Sequence, residues 1–143
     1  MHVTNEEIRR VLLAAGLRVT EIRLRVFRLL AESAAPLSHR EAVDRLGEVD
    51  RVSVFRNLVA LVEAGLVRRM ELGDHTWRFE LLRAAGPSAE HHHTHFTCTR
   101  CGDVSCFDHV DVSLRPGADP AWARWLDGVE VQLRGVCDRC RAA

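Results

Sequence analysis

The chain has 143 residues, of which 47% are hydrophobic, and this length and composition favour one ordinary globular domain or two small ones over a disordered chain. No apolar run approaches the length of a membrane span, and the first residues are polar and acidic, unlike a secretory signal. We therefore expect a cytoplasmic protein with no membrane partner. The formal net charge is zero and all 20 basic residues are Arg, so there is no global electrostatic bias towards nucleic acid.

The first half of the chain is predicted to contain four helices, each with a recognisable start. Two starts have the capping-box pattern, in which a Ser or Thr precedes a Glu by three residues, and two have a single capping side chain. These residues are Thr4 with Glu7, Ser38 with Glu41, Thr20, and Asp50. Glycines end the first, third and fourth helices, at Gly16, Gly47 and Gly65. The apolar spacing predicts inward-facing residues at Ile8, Val11, Leu12 and Ala15 in the first helix, and at Ile22, Val26, Leu29 and Leu30 in the second.

Two short runs follow the fourth helix and are predicted to form a β-hairpin. The runs are residues 66–72 and 76–82, and Gly73 and Asp74 join them. A helix-turn-helix followed by a two-stranded wing is the winged-helix arrangement, which is typical of DNA-binding domains.

The fourth helix, predicted over residues 51–64, has two different faces on a helical wheel of about 100° per residue. One arc is apolar and is expected to be buried; it contains Val52, Val54, Phe55, Leu58, Val59, Leu61 and Val62. The opposite arc is small or polar and contains Ser53, Arg56, Asn57, Ala60, Glu63 and Ala64. A recognition helix presents such a face to base edges, although an ordinary solvated face would have the same pattern. The adjacent hairpin favours DNA binding.

The segment 84–90 is rich in small residues and contains Gly86 and Pro87, which predicts a hinge between two domains. We therefore expect a DNA-binding domain over 1–83 and a second domain over 91–143. Beyond the hinge, residues 95–99, 104–107 and 129–133 are predicted strands, and prolines limit the segment 119–126 to a short helix at most.

Two Cys-x-x-Cys pairs lie in the second domain, at Cys98 and Cys101 and at Cys137 and Cys140. Two such pairs separated by a folded-length insert predict a tetrahedral structural zinc site. Two disulfides or a redox dithiol are the alternatives. A disulfide framework requires an oxidising compartment, which the polar N-terminus does not favour.

A second set of metal-binding side chains precedes the first Cys pair. In a strand, His91, His93 and His95 project to one face and His92 to the other, which places imidazoles about 7 Å apart in a partial ligand set. A solvated loop is the alternative. The fifth cysteine, Cys106, is compatible with three roles: a buried apolar residue, a soft thiolate ligand that favours zinc, or a redox sensor.

The chain resembles the ferric uptake regulator (Fur) family over nearly its whole length. The matching motifs, in order, are Gly16-Leu17-Arg18-Val19-Thr20 with Arg23, Val52-Ser53-Val54-Phe55-Arg56-Asn57-Leu58, Glu63-Ala64-Gly65-Leu66-Val67, Phe79-Glu80-Leu81, His91-His92-His93-Thr94-His95, Cys98-Thr99-Arg100-Cys101-Gly102, and Gly135-Val136-Cys137-Asp138-Arg139-Cys140. The resemblance implies an α+β protein: a winged helix that binds an inverted-repeat operator in double-stranded DNA, followed by a small α/β domain that forms a homodimer and binds metal.

The resemblance also implies roles for particular residues. Cys98, Cys101, Cys137 and Cys140 match the structural zinc ligands of the family. Glu80, His93 and His95 match its regulatory metal site, and Cys106 falls where relatives carry an acidic ligand. The expected DNA-contacting residues are Arg18, Arg51, Ser53, Phe55, Arg56 and Asn57.

Four departures from the family pattern affect these expectations. Pro36 stands where the family has a regulatory His, and His39 or His91 could complete the site instead. Phe55 replaces a Tyr and lacks its hydroxyl group. An extra metal site found in many members should be absent, because its ligand positions hold Thr94, Ser113 and Val129, which leaves only His92. The proline-broken segment 115–126 shortens the helix through which the family dimerises.

The function predicted from these observations is metal-dependent transcriptional repression, with structural Zn²⁺ and a second, regulatory divalent ion. Zinc is favoured as that ion because of Cys106, with iron or manganese as alternatives. A peroxide or redox sensor of the same fold, acting through iron-promoted His oxidation or through Cys106, is the second hypothesis. An enzyme is not expected, because no general base accompanies an open zinc position.

Overall fold

The computed structural model describes residues 3–82, 94–107, 110, 112–113 and 131–142. The chain divides into two compact units, Met1–Ala89 and Glu90–Ala143. The predicted hinge 84–90, residues His91, His92 and His93, and the predicted short helix 119–126 lie outside the described residues. No helix of the described part is long and apolar enough to cross a bilayer.

The first unit contains four helices and a three-stranded sheet, in the element order α1 (Asn5–Ala14), α2 (Glu21–Glu32), β1 (Leu37–Ser38), α3 (His39–Leu46), α4 (Arg51–Glu63), β2 (Val67–Glu71) and β3 (Trp77–Leu81). All four predicted helix starts are confirmed: Thr4 and Ser38 form capping boxes, and Thr20 and Asp50 accept from backbone N–H groups of their first turns. The hairpin is also confirmed. The short strand β1, which the sequence pattern did not predict, pairs with β3 and gives the sheet order β1-β3-β2.

The core of this unit is formed by helix α2, helix α4 and the base of the hairpin. Leu58, Leu61 and Phe79 are each at most 2% exposed, and burial of such a side chain contributes about 1.5–3 kcal/mol. Leu24 and Phe27 of α2 belong to this core, although the inward face predicted for α2 omitted them. Val11 was predicted to be inward but is 38% exposed, because α1 buries only a narrow stripe that includes Ile8 and Leu12.

The second unit contains a three-stranded sheet and a short helix, in the element order β4 (Thr94–Cys98), β5 (Val104–Phe107), β6 (Leu133–Gly135) and α5 (Asp138–Ala142). Strand β4 is central, antiparallel to β5 and parallel to β6. The strand predicted over 129–133 was misplaced, since Val131 and Gln132 precede β6 in non-strand backbone. The mixture of helices and small sheets confirms the predicted α+β class.

Candidate metal centres and nucleic-acid interface

The four cysteines of the two Cys-x-x-Cys pairs lie together in the second unit. Their sulfur atoms are all within 4.8 Å of one another, and the Sγ atoms of Cys101 and Cys137 are 3.9 Å apart. A tetrahedral zinc ion with Zn–S bonds of about 2.3 Å requires sulfur atoms about 3.8 Å apart. None of these cysteines is in a disulfide. The cluster therefore fits a zinc ion and contradicts the disulfide alternative.

The sheet brings the two Cys pairs together. Cys98 ends β4 and is the register partner of Gly135 in the parallel strand β6, so Cys137, two residues later, passes close to Cys98. A Cβ atom at residue 135 would lie 3.1 Å from the ring of Phe96, tighter than an ordinary contact, which is consistent with glycine at this position. Outside the cluster, Arg100 donates to the Cys140 carbonyl oxygen and Arg139 forms an ion pair with Asp103. Both interactions connect the segment that holds the first Cys-x-x-Cys pair to the segment that holds the second.

Two thiols of the cluster, those of Cys98 and Cys140, have strongly different pKa values. The backbone N–H of Cys137 donates to Cys98 Sγ at 3.3 Å, and this bond is the main cause that lowers the pKa of Cys98 to about 6. Hydrogen bonding to the sulfur of Cys101 raises the pKa of Cys140 to about 12. Sulfurs this close cannot all carry negative charge unless a cation compensates them, which is the chemistry of a four-cysteine metal site.

A second pair of metal-binding side chains lies on the β4–β5 hairpin. His95 and Cys106 are register partners on the two antiparallel strands, and residues that are directly opposite project to the same face of a sheet. His95 is 7% exposed and Cys106 is partly buried. An imidazole and a thiol on one partly buried face form half of a tetrahedral ligand set.

The exposed face of helix α4 differs from the face that the helical wheel predicted. Val52 and Phe55 were placed in the buried arc, but they are 54% and 47% exposed. Asn57 was placed in the exposed arc, but it is only 7% exposed. The buried stripe is instead Val54, Asn57, Leu58 and Leu61. The first two turns of α4 therefore present Arg51, Val52, Phe55 and Arg56 to solvent.

Two polar residues predicted to contact DNA have partners within the first unit. Asn57 Oδ1 accepts from Arg23 Nε at 2.9 Å, and Asn57 Nδ2 donates to the Ser53 carbonyl oxygen at 2.8 Å. The Ser53 hydroxyl donates to Asp50 Oδ2 at 2.6 Å within the N-terminal cap, and hydrogen bonds from Ser53 lower the pKa of Asp50. Asn57 thus positions α4 from inside the unit, a role that the polarity of the residue did not reveal.

Arg23 is a residue to which sequence reasoning gave no role. Besides holding Asn57, it donates through Nη1 to the Arg18 carbonyl oxygen at 2.7 Å. Arg23 therefore connects the loop that carries Arg18 to helix α4. The Arg18 side chain itself is exposed and pairs with no carboxylate among the described residues.

The chain is similar to known proteins both in its sequence and in its structure. The family model described as the ferric uptake regulator family matches residues 14–117. The chain belongs to the ferric uptake regulator family. The ferric uptake regulation protein of Shigella flexneri is 33% identical over 109 residues, which cover 72% of this chain and 69% of that protein. The ferric uptake regulation protein of Vibrio vulnificus is 33% identical over 130 residues, which cover 86% of this chain and 83% of that protein.

A crystal structure of the Vibrio cholerae ferric uptake regulator superposes on this chain with a TM-score of 0.67 and 26% identity. The match covers 90% of this chain and 98% of that one. These similarities confirm the predicted resemblance and its fold, and they identify the chain as a metal-responsive transcriptional regulator of the ferric uptake regulator family.

Glu80, another predicted ligand of the regulatory site, lies on strand β3. Its Oε2 accepts from Arg68 Nη2 at 2.9 Å, and the two residues are cross-strand partners on β2 and β3. The Nε atom of Arg68 is buried without a hydrogen-bond partner among the described residues. Arg68 is therefore held close to Glu80, and a metal ion that uses this carboxylate would have to share it with Arg68.

His39, which could replace the missing regulatory His, lies against helix α4. Its Nε2 donates to the Arg51 carbonyl oxygen at 2.9 Å, and its ring meets the Phe55 ring edge-on with the centroids 5.6 Å apart. Pro36, at the family position, is buried. The contacts of His39 thus connect α3 to the first turn of α4.

Proposed function

We propose that this ferric uptake regulator homologue is a homodimeric repressor whose affinity for an inverted-repeat operator is controlled by a regulatory divalent ion, with zinc favoured. The ligands would be Glu80, His93, His95 and Cys106, in addition to a structural zinc ion at Cys98, Cys101, Cys137 and Cys140. The observation that carries the proposal is the cross-strand pair of His95 and Cys106, because it offers a second, separate ligand set beside the four-cysteine cluster. The proposed role is regulatory and not catalytic.

The first two turns of α4 support the DNA-binding part of the proposal. Arg51 and Arg56 are exposed and form no ion pair among the described residues, so their guanidinium groups are available to phosphates or guanine edges. Val52 and Phe55 are exposed beside them, and apolar side chains at such positions contact thymine methyl groups.

The side chains proposed as ligands of the regulatory ion determine which metal the site prefers. The curated relatives are named for ferric uptake, which favours iron. Cys106 adds a soft thiolate to the set, however, and thiolates favour zinc over ferrous or manganous ions. Imidazoles must be neutral to bind metal, so protons compete with the ion and occupancy of the site should weaken at acidic pH.

The regulatory step follows from which elements carry the proposed ligands. Glu80 belongs to the hairpin of the DNA-binding unit, whereas His95 and Cys106 belong to the β4–β5 hairpin of the other unit. An ion shared by these residues would favour one arrangement of the two units, and hence one separation of the two α4 helices of a dimer. Half-sites lie about one helical turn, about 34 Å, apart. Coupling of this kind is typically worth about 1–3 kcal/mol.

A DNA-binding titration with and without the regulatory ion tests the proposal. The full chain would be loaded with zinc, treated with a mild chelator until elemental analysis shows one ion per chain, and titrated against a duplex isolated by in vitro selection. We expect an affinity about 5–150-fold higher with two ions than with one. His95→Gln should abolish this difference, whereas Ser105→Ala, on the opposite face of β5, should leave it intact. Equal affinity of the one-ion and two-ion proteins would refute metal control.

A further inference from the structure

The wing of the first unit carries a stacked pair of Arg69 and Trp77. The guanidinium carbon of Arg69 lies 4.2 Å from the centre of the Trp77 ring, and the Trp77 side chain is 52% exposed. A cation at this distance from an indole face is held by the quadrupole of the ring, so the pair is a pre-ordered feature of the wing. Ordering it in advance reduces the entropy lost when a ligand binds.

The edges of this pair carry hydrogen-bond donors that a ligand can use. Within the described residues, neither the Arg69 guanidinium nor the Trp77 indole N–H has a hydrogen-bond acceptor. Stacking engages the flat face of a guanidinium and leaves the N–H groups at its edge available. The pair therefore presents cationic and neutral donors side by side, which suits an acceptor that carries negative charge.

The other charges of the wing are already engaged. Asp74 accepts two hydrogen bonds from Arg78, at 2.9 and 2.7 Å, and is neutralised by it. Glu71 Oε1 accepts from the His75 backbone N–H at 2.7 Å. The presence of Glu71 opposite Trp77 keeps the wing from being a broad basic patch, so the pair suits a single phosphate or two, and not an extended polyanion.

The pair continues the exposed face of α4. Strand β1 pairs with β3 through Ser38 and Arg78, and the next residues, His39 and Trp77, lie at the same end of this strand pair. His39 in turn contacts Phe55 and the carbonyl of Arg51 in the first turn of α4. The backbone positions of His39 and Trp77 thus place the wing pair next to the residue that contacts the proposed recognition helix.

We propose that Arg69 and Trp77 form a phosphate-binding platform that holds the backbone of the DNA duplex just outside the groove entered by α4. This inference rests on the proposed function and extends it to a second point of contact. Double-stranded DNA is the occupant because the platform is continuous with the proposed recognition surface and because its donors match phosphate oxygens. Arg69 supplies the charge-assisted contact, and Trp77 both orders Arg69 and donates its own N–H. Contacts of this kind fix the register of a protein on DNA without reading its sequence.

The test compares two lengths of the same selected duplex with the metal-loaded full chain. One duplex is trimmed to the base pairs whose identity the selection fixes, which leaves out the flanking backbone, and the other extends it by ten base pairs on each side. We expect Arg69→Gln to weaken binding to the extended duplex by about 3–10-fold and to reduce the slope of log K against log salt by about 0.9, the value for one phosphate contact. Trp77→Phe, which keeps a ring under Arg69 but loses the N–H, should have a smaller effect than Trp77→Ala.

The matched control is Arg10→Gln, which removes an exposed arginine that forms an ion pair with Glu6 on α1. Equal salt slopes for Arg69→Gln, Arg10→Gln and the unaltered chain would overturn the platform. Equal weakening of both duplexes by Arg69→Gln would also overturn it, because the contact would then not lie in the flanking DNA. Failure of the unaltered metal-loaded chain to bind any duplex would instead overturn the proposed function. Circular dichroism and metal content verify that each variant is folded.

Discussion

His95 and Cys106 face each other across the antiparallel strands β4 and β5, so that an imidazole and a thiol share one side of the sheet. Replacing the thiol by a carboxylate in Cys106→Asp should change which ion this face prefers, because carboxylates suit harder ions than thiolates do. We expect the zinc affinity of the second site to fall by about tenfold or more, about 1.4 kcal/mol, with a smaller change for manganese. Competition titrations against chromophoric chelators measure both affinities.

The control for this substitution is Ser105→Asp, which adds a carboxylate to the same strand on the opposite face. It should leave both affinities unchanged. A Cys106→Asp protein with the metal preference of the unaltered chain would show that Cys106 is not a ligand, and would leave iron, for which the relatives are named, as the better candidate.

Removing one thiol from the four-cysteine cluster should affect the stability of the second unit. Cys137→Ser removes one of the four thiolates of the tetrahedral set, so a mild chelator should release the otherwise tightly held zinc. Because the cluster links Cys98, at the end of β4, to Cys137 and Cys140, which follow β6, we expect faster amide hydrogen exchange in β4 and a lower unfolding temperature. Elemental analysis and hydrogen exchange with mass spectrometry test both outcomes.

Cys106→Ser serves as the comparison, since it also removes one thiol but leaves the four clustered sulfurs in place. It should retain one chelator-resistant zinc ion. If Cys137→Ser retained that ion as firmly as Cys106→Ser does, the cluster would not be the site of tight binding.

The buried hydrogen bond between Asn57 and Arg23 should contribute to stability and not directly to DNA contact. Asn57→Ala removes an acceptor for Arg23 Nε and a donor to the Ser53 carbonyl oxygen. Loss of these partners in a buried position should lower the free energy of unfolding by about 1–3 kcal/mol. Urea denaturation followed by circular dichroism provides the measurement.

Arg56→Gln is the complementary variant, because Arg56 is exposed on the same helix. It should leave the unfolding free energy within about 0.5 kcal/mol of the original and reduce the salt dependence of DNA binding. If Asn57→Ala were instead as stable as the original chain but had lost its preference for a DNA sequence, Asn57 would have the base-contacting role that its position in the motif predicts.

The helices of the first unit could be predicted because their signals are local. A capping side chain such as Thr4 or Asp50 acts within one turn, and its partner is only three residues away. The inner face of α4 could not be predicted in the same way. A helical wheel ranks side chains by polarity, whereas the burial of Asn57 depends on its hydrogen bond with Arg23, 34 residues earlier in the chain.

The two candidate metal sites likewise differ in how far the sequence predicts them. The four-cysteine cluster was predictable because a Cys-x-x-Cys pair fixes two sulfurs close together, and two such pairs suffice for one zinc ion. The pairing of His95 with Cys106 required the strand register, which alternation along either strand does not determine. Arg68 beside Glu80 was not foreseen, because an arginine in a predicted strand gives no sign of its cross-strand neighbour.

The ion pair between Asp74 and Arg78 should make the stability of the wing depend on acidic pH. Arg78 is only 7% exposed, and its two hydrogen bonds to Asp74 lower the pKa of that carboxyl group. A carboxyl group whose pKa is lower in the folded state adds stability that is fully present above its unfolded pKa, about 3.9, and is lost as the pH falls through the folded value. Asp74→Asn should therefore be less stable than the original chain at neutral pH, by about 1–3 kcal/mol, because a buried arginine loses its charged partner.

The difference in stability between the two proteins should shrink as the pH is lowered below about 4, because the original chain then progressively loses the stability that the ionised Asp74 contributes, until the carboxyl group is protonated in the folded state as well. Thermal unfolding of both proteins between pH 7 and pH 3 would reveal this convergence. Asp44→Asn is a suitable control, since Asp44 forms only an exposed pair with Arg40, and exposed pairs contribute about 0–1 kcal/mol. A constant difference between Asp74→Asn and the original chain across this range would mean that Asp74 is not held as a carboxylate by Arg78.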